Sequence, residues 1–273
     1  MSNIFSIIKE VRNIMRTDRG VSGDAQRLEQ LGWMLFLKIL DEKEQENELI
    51  NKNYKSSVPE KFKWRNWAKN PEGITGEELY EFIEHPSKGL FANLRNLQEQ
   101  GSISFVKLIK EVFDGTNNYM KSGYEIRKVI NELNKFNFNN SEDRQIFGTV
   151  YETILLELRD AGNKGEYYTP RAITKLMTEM TKPKLNEKVL DPAAGTGGFL
   201  TEAIDFKREK FVKSVKDENI LQKTIEGWEF KPVAYVLGLT NLIMHSIKSP
   251  NWTYTDSLKV EYNKISPKDQ VDV

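Results

Sequence analysis

The sequence contains no cysteine. That absence excludes disulfides, zinc–thiolate sites and thiol catalysis, and it fits the reducing cytoplasm. Histidine is nearly absent as well: His85 and His245 are the only two, far apart in the chain. A histidine-based metal centre is therefore not expected, and no metal is assigned. Neither charge sign is in excess, with 40 Lys and Arg against 40 Asp and Glu. Long-range attraction of the whole chain to nucleic acid is thereby excluded, so any such contact needs a local patch or another subunit. Long hydrophobic runs are missing too. The longest, "LGWMLFLKIL", ends in "DEKEQENE" and falls well short of the ~18 residues of a membrane span. The opening "MSNIFSIIKEVRNIMR" carries charges every few positions, unlike a secretion signal.

What is present is the composition of a folded protein, 38% hydrophobic and 29% charged over 273 residues. That length suits one large domain or two ordinary ones. The first half reads as helices. Ile4, Ile7, Ile8, Val11, Ile14 and Met15 recur at the three- and four-residue steps of one helical face. "GDAQRLEQLGWMLFLKILDEKEQENELI" predicts a long helix, with Asp24 as its cap and Leu28, Leu31, Leu35 and Ile39 as its buried stripe. Residues 51–70 read as turns, and four more helical stretches follow, ending with "GYEIRKVINELNKF". "NFNNSEDR" is a polar break and sets a boundary between domains 1–140 and 141–273. A further helix is expected from Ser141, with Ile146, Phe147, Val150, Ile154 and Leu158 on its buried face.

Beyond it, strands and helices alternate. "EKVLDP", "KTIEGWEF" and "WTYTDSL" read as short strands separated by helices, and "DQVDV" opens a fourth. That alternation predicts βαβ units and a parallel sheet. The turn "DPAAGTGGFL" at residues 191–200 follows the first strand. Asp191 stands at the strand's carboxyl end, where open α/β sheets bind ligands. Gly195, Gly197 and Gly198 allow a tight turn and close approach of a ligand to the backbone. The stretch lacks the G-x-G-x-x-G dinucleotide spacing and the Gly-Lys-Ser/Thr of a phosphate loop. An acid facing the ligand repels phosphate and suits an ammonium group. Glu229, at the end of the second strand, is placed to accept from ribose hydroxyls. Asp256 falls at the end of the third and is placed to accept from an adenine amino group. A purely structural turn with solvated strand-end acids is the competing reading. If the three acids share one rim, S-adenosylmethionine fits, with an ammonium, a ribose and an adenine but no phosphate.

"GEYYTPRAI" followed by "VLDPAAGTGGFL" strongly resembles the amino-methyltransferases of DNA, and in particular the modification subunits of type I restriction-modification systems, which methylate adenine at N6. The helical part, with "VPEKFKWRNW" and "DRQIFGTVYETIL", is similar to that family's N-terminal domain, though its motifs are less specific. The resemblance implies an α-helical N-terminal domain followed by an incomplete α/β, Rossmann-like, S-adenosylmethionine-dependent methyltransferase domain. It implies that Glu166, Tyr167, Tyr168, Thr169, Pro170 and Arg171 wrap the methionine end of the cofactor. Asp191 approaches the ammonium group, and the turn from Ala193 and Gly195 through Thr196, Gly197, Gly198 and Phe199 lines the same site. Glu229 then binds ribose and Asp256 adenine. The implied partners are double-stranded DNA, a specificity subunit, a restriction subunit and a second modification subunit.

The sequence departs from that family at one point. The catalytic Asn/Asp-Pro-Pro-Phe/Tyr motif does not occur, since there is no Pro-Pro. No catalytic residue is therefore assigned, and the resemblance implies an N-terminal piece of a longer protein. Alternatives are a fused restriction-modification polypeptide, a non-catalytic S-adenosylmethionine-binding module and a nicotinamide-dependent enzyme. "EKFKWRNWAK" interleaves Lys61, Lys63, Arg65 and Lys69 with Phe62, Trp64 and Trp67. Such a composition serves either base stacking or a loop packed by its tryptophans.

Overall fold

The computed structural model describes residues 2–98, 103–136, 138, 169–261, 266 and 269–273. The chain divides into two compact units, Met1–Glu166 and Tyr167–Val273. The boundary expected at residue 140 and the helix expected from Ser141, with its apolar face, lie outside the described residues.

The first unit is helical. Helix α1 (Ser2–Thr17) buries Ile7, Ile8, Val11 and Met15, the face its periodicity predicts. Helix α2 (Asp24–Ile50) is the expected long helix, and Leu28, Leu31, Leu35 and Ile39 are all buried. Asp24 does not cap it. Gly23 holds the cap position with extended backbone, while the Asp24 carboxylate takes Arg27 at 2.8 Å and Arg12 at 3.3 Å. Burial opposes the charge on Asp24, but the two guanidiniums outweigh it and hold the carboxyl below its usual range. The expected turn at 51–70 contains a short helix α3 (Trp64–Trp67). Helices α4 (Gly76–Glu84), α5 (Leu90–Arg95), α6 (Ile103–Asp114) and α7 (Gly123–Leu133) complete the unit. Arg127 of α7 ties this bundle together. Its guanidinium donates to the carbonyls of Trp67, Ala68, Asn70 and Ile74 at 2.7–3.2 Å.

The second unit begins with helix α8 (Arg171–Thr181), followed by strand β1 (Val189–Asp191) and helix α9 (Gly198–Phe211). Helix α10 (Val215–Leu221), absent from the sequence reading, starts at a reciprocal cap. Ser214 Oγ accepts from Asp217 N–H, and Asp217 accepts from Ser214 Oγ–H at 2.8 Å. Strand β2 (Ile225–Glu229), helix α11 (Pro232–Met244) and strand β3 (Asn251–Tyr254) close the unit. The strands form a parallel sheet in the order β1-β2-β3, with Asp191 opposite Gly227 and Glu229 opposite Tyr254. Parallel pairing brings their carboxyl ends to one rim. The fourth strand expected from "DQVDV" is not assigned as one. Its backbone nevertheless lies beside β1: Leu190 N–H donates to Val273, and Asp272 and Val273 N–H donate to Lys188, each at 3.0 Å.

Away from that rim, Lys207 of α9 is fully buried. Its Nζ donates to the Glu187 carbonyl at 2.6 Å and to Thr224 Oγ1 at 3.1 Å. Burial pulls this ammonium down to about 8. In the folded chain the proton therefore leaves at lower pH than from an unfolded lysine near ~10.4. Between those values the unfolded state binds more protons, so stability rises with pH by up to ~1.4 kcal/mol per unit. Urea unfolding at pH 8, 9 and 10 should show wild type gaining stability relative to Lys207→Met. A constant difference would contradict this reading.

Candidate functional site

The site is built around the turn between β1 and α9. Gly195 and Gly197 both have positive φ, 55° and 76°, a region where a Cβ is strained. A Cβ at Gly195 would meet nothing within 4 Å, so the outer side of the turn is open. Ala194 N–H donates to the Trp228 carbonyl at 2.9 Å, and Gly197 N–H donates to the Ala194 carbonyl at 2.7 Å. The N–H groups of Thr196, Gly198 and Phe199 find no acceptor among the described residues. Three donors at a helix start thus remain for a ligand.

Two carboxylates flank the turn. Glu229, 8% exposed, accepts from Gly195 N–H at 2.8 Å through Oε2. Its Oε1 accepts from Phe230 and Lys231 N–H at 2.8 and 2.7 Å. An ionised carboxylate offers about four acceptor sites, so one remains, on Oε2. Asp191 accepts from Ala193 N–H at 3.1 Å. Burial pushes its carboxyl up, the Ala193 N–H works against this, and the Glu229 charge adds to the rise. A cation placed here relieves the repulsion between the acids, whereas a phosphate increases it.

The other expected residues are placed differently. Asp256 lies two residues beyond β3, and its carboxylate caps a short turn through Leu258 N–H at 3.1 Å and meets Lys259 at 3.3 Å. Thr169 and Pro170 are exposed just before α8. Arg171 donates to Thr201 Oγ1 of α9 at 3.0 Å, which ties α8 to the helix that follows the turn. Phe199 lines a cavity of about 230 Å³ beside β1, with Asp191, Met177 and Leu190. Glu166, Tyr167 and Tyr168 lie outside the described residues.

The sequence reading missed what lies beneath the turn. Trp252 of β3 is 3% exposed and donates from Nε1 to the Tyr235 carbonyl at 3.1 Å. A Cβ on Gly227 or on Gly238 would overlap its ring, and one on Gly197 would lie 3.8 Å from it. An isolated glycine inside a strand and another inside a helix were the available signals. Both histidines have local roles: His85 Nδ1 accepts from Ser87 and Lys88 N–H, and His245 Nδ1 meets the Asn241 carbonyl at 2.8 Å.

The model of the HsdM N-terminal domain matches residues 4–151, and that of the N-6 DNA methylase matches residues 142–273. This chain belongs to the methylase-subunit family of type I restriction-modification systems. It is 46% identical to the EcoEI type I methylase subunit of Escherichia coli, over 91% of this chain and 50% of that protein. Among solved structures, a type I modification subunit from Vibrio vulnificus YJ016 matches with a TM-score of 0.86 and 40% identity, over 99% of this chain and 59% of that one. A chain from a structure described as the basis of complex assembly and conformational transition of the type I system matches with a TM-score of 0.79 and 32% identity. That match covers 97% of this chain and 53% of the other. The chain thus spans about half the length of the methylase subunits it matches.

In this methylase-family chain the basic-aromatic segment is a packing element. Phe62, Trp64 and Trp67 are buried, and Trp64 and Trp67 stack edge to face at 5.2 Å. Lys63 meets Glu48 at 3.0 Å and Glu60 at 2.7 Å, and Arg65 meets Asp41 at 2.7 Å and Glu48 at 2.6 Å. Rings held in the core cannot stack on bases, and these two cations already have carboxylate partners. Among the described residues no helix is long and apolar enough to cross a membrane.

Proposed function

We propose that this protein transfers a methyl group from S-adenosylmethionine to N6 of adenine in double-stranded DNA. It would work in the cytoplasm with a specificity subunit that reads the sequence, a restriction subunit and a second methylase subunit. On this reading the three-stranded sheet is the start of a Rossmann-like domain from about residue 141, and the helical domain of residues 1–140 grips DNA and partners. The observation that carries the proposal is the open glycine turn with free N–H groups between buried Glu229 and half-buried Asp191.

The donor set fits S-adenosylmethionine. Asp191 offers a carboxylate to an ammonium, and Glu229 keeps one acceptor site for a ribose hydroxyl. Thr196 and Gly198 offer N–H donors, and Thr169 offers a hydroxyl. Glu166, Tyr167, Tyr168, Pro170 and Arg171 complete the methionine side, and Asp256 takes the adenine amino group after releasing Leu258 or Lys259. When bound, the cofactor supplies an electrophilic methyl group on sulfonium. The acids hold its cationic end, and the turn excludes phosphate-bearing competitors.

The target adenine must leave the duplex to be reached. These 273 residues contain no Asn/Asp-Pro-Pro-Phe/Tyr to hold it. The chain as given therefore binds the donor without transferring its methyl group. Tritiated S-adenosylmethionine and unmethylated DNA test both halves. A protein of the length of its relatives, assembled with its specificity subunit, should yield labelled N6-methyladenine on nucleoside analysis. The 273-residue chain should yield none. Methylated cytosine from the former, or methylated adenine from the latter, would contradict the proposal.

A further inference from the structure

Helix α11 is almost wholly apolar and buried, yet it carries Asn241, 4% exposed, among Leu239, Leu242 and Ile243. A buried carboxamide is costly unless its hydrogen bonds are met. Asn241 meets one of them in the glycine turn, where Nδ2 donates to the Thr196 carbonyl at 3.0 Å. That carbonyl and the Gly197 N–H belong to one planar peptide unit. The N–H end of the unit is held by the Ala194 carbonyl at 2.7 Å. Asn241 holds the opposite end.

The unit needs both restraints. It is bordered by Gly197 at φ 76°, with Gly195 at φ 55° one residue before it. Glycine populates left- and right-handed regions with similar ease, so the turn has little intrinsic resistance to rotation of this peptide. Rotation would reverse both ends together and break the Gly197 N–H bond to the Ala194 carbonyl, which closes the turn that carries the flanking N–H groups. Glu229 restrains the Ala194–Gly195 peptide, two units earlier, through Gly195 N–H. Nothing else among the described residues bonds to the Thr196 carbonyl.

We propose that Asn241 is a positioning residue for cofactor binding, holding the Thr196–Gly197 peptide so that the free N–H groups of Thr196 and Gly198 stay directed at the ligand. The proposal rests on the S-adenosylmethionine reading of the site. Its effect is preorganisation, since without the clamp the ligand must order the turn as it binds.

Asn241→Leu tests it. Leucine has the same branching and the same number of side-chain heavy atoms, suits the helix and cannot donate. Calorimetric titration with S-adenosylmethionine should show Kd rising about tenfold, the ~1.4 kcal/mol of one hydrogen bond. The melting temperature should stay level or rise, and amide hydrogen exchange at Gly197 should quicken without ligand. Unchanged Kd in a folded variant would overturn the proposal. If the variant does not fold, the wild-type protein decides. The Asn241 Nδ2 protons should exchange slowly and slow further when S-adenosylmethionine is added, and no change on addition would overturn the proposal. Should wild type bind no S-adenosylmethionine, the cofactor reading and this role fall together. Quickened Gly197 exchange in Asn241→Leu would then still mark the clamp as a purely structural one.

Discussion

Trp252→Ala is expected to lower the melting temperature of the second unit by more than ~12 °C. A buried Trp-to-Ala change costs about 3–5 kcal/mol, and each kcal/mol moves a domain of this size by about 4–8 °C. The site makes the upper part of that range the natural expectation. The indole fills the space left by Gly227 and Gly238 and reaches to Gly197, so neighbouring side chains are too small to close the cavity. The Tyr235 carbonyl also loses the indole N–H. The converse change, Gly238→Ala, forces a methyl group into the ring and towards the Gly195 carbonyl. It should cost about 1–3 kcal/mol by overpacking. Thermal melts followed by near-ultraviolet circular dichroism check both. A Trp252→Ala protein that melts within a few degrees of wild type would contradict the packing described here.

Asp191→Asn is expected to weaken S-adenosylmethionine binding by about tenfold to a hundredfold, the ~1.5–3 kcal/mol of a hydrogen bond to a charged group. Stability should move the other way. The folded-state carboxyl of Asp191 is raised by burial and by Glu229. The folded chain therefore binds more protons than the unfolded chain as pH climbs through this window, and its stability falls. Asparagine keeps an acceptor for Ala193 N–H and removes the charge, so the neutral-pH melting temperature should hold or rise. Loss of binding without loss of stability is the signature of a group retained for its ligand. The raised carboxyl also predicts that wild-type affinity falls with acidification at a higher pH than an ordinary aspartate would give, and that this step vanishes in Asp191→Asn. Titrations across pH 4 to 8 with both proteins read the two effects together.

Much of this was legible in the residues. The stripes of α1 and α2 follow from helical spacing, and the three strands from short apolar runs bounded by turn residues. Asp191 and Glu229 were readable as strand-end acids. What escaped depends on contacts between distant parts of the chain. No local pattern shows that Glu229 holds Gly195, 34 residues away, or that Asn241 holds Thr196, 45 residues away. "EKFKWRNWAK" was ambiguous because its neutralising acids sit on α2, with Asp41 24 and Glu48 17 residues before Arg65. Asp24 looked like a cap because the preceding Gly23 supplies no side chain to compete, yet Arg12 and Arg27 take its carboxylate. Helix α10 had a signal in Ser214 and Asp217 that went unread.

Titration of S-adenosylmethionine into the protein, followed by calorimetry, tests the central claim most directly. The account predicts saturable binding at one site per chain, displaced by S-adenosylhomocysteine and unaffected by NAD. Binding of NAD with no uptake of S-adenosylmethionine would contradict it.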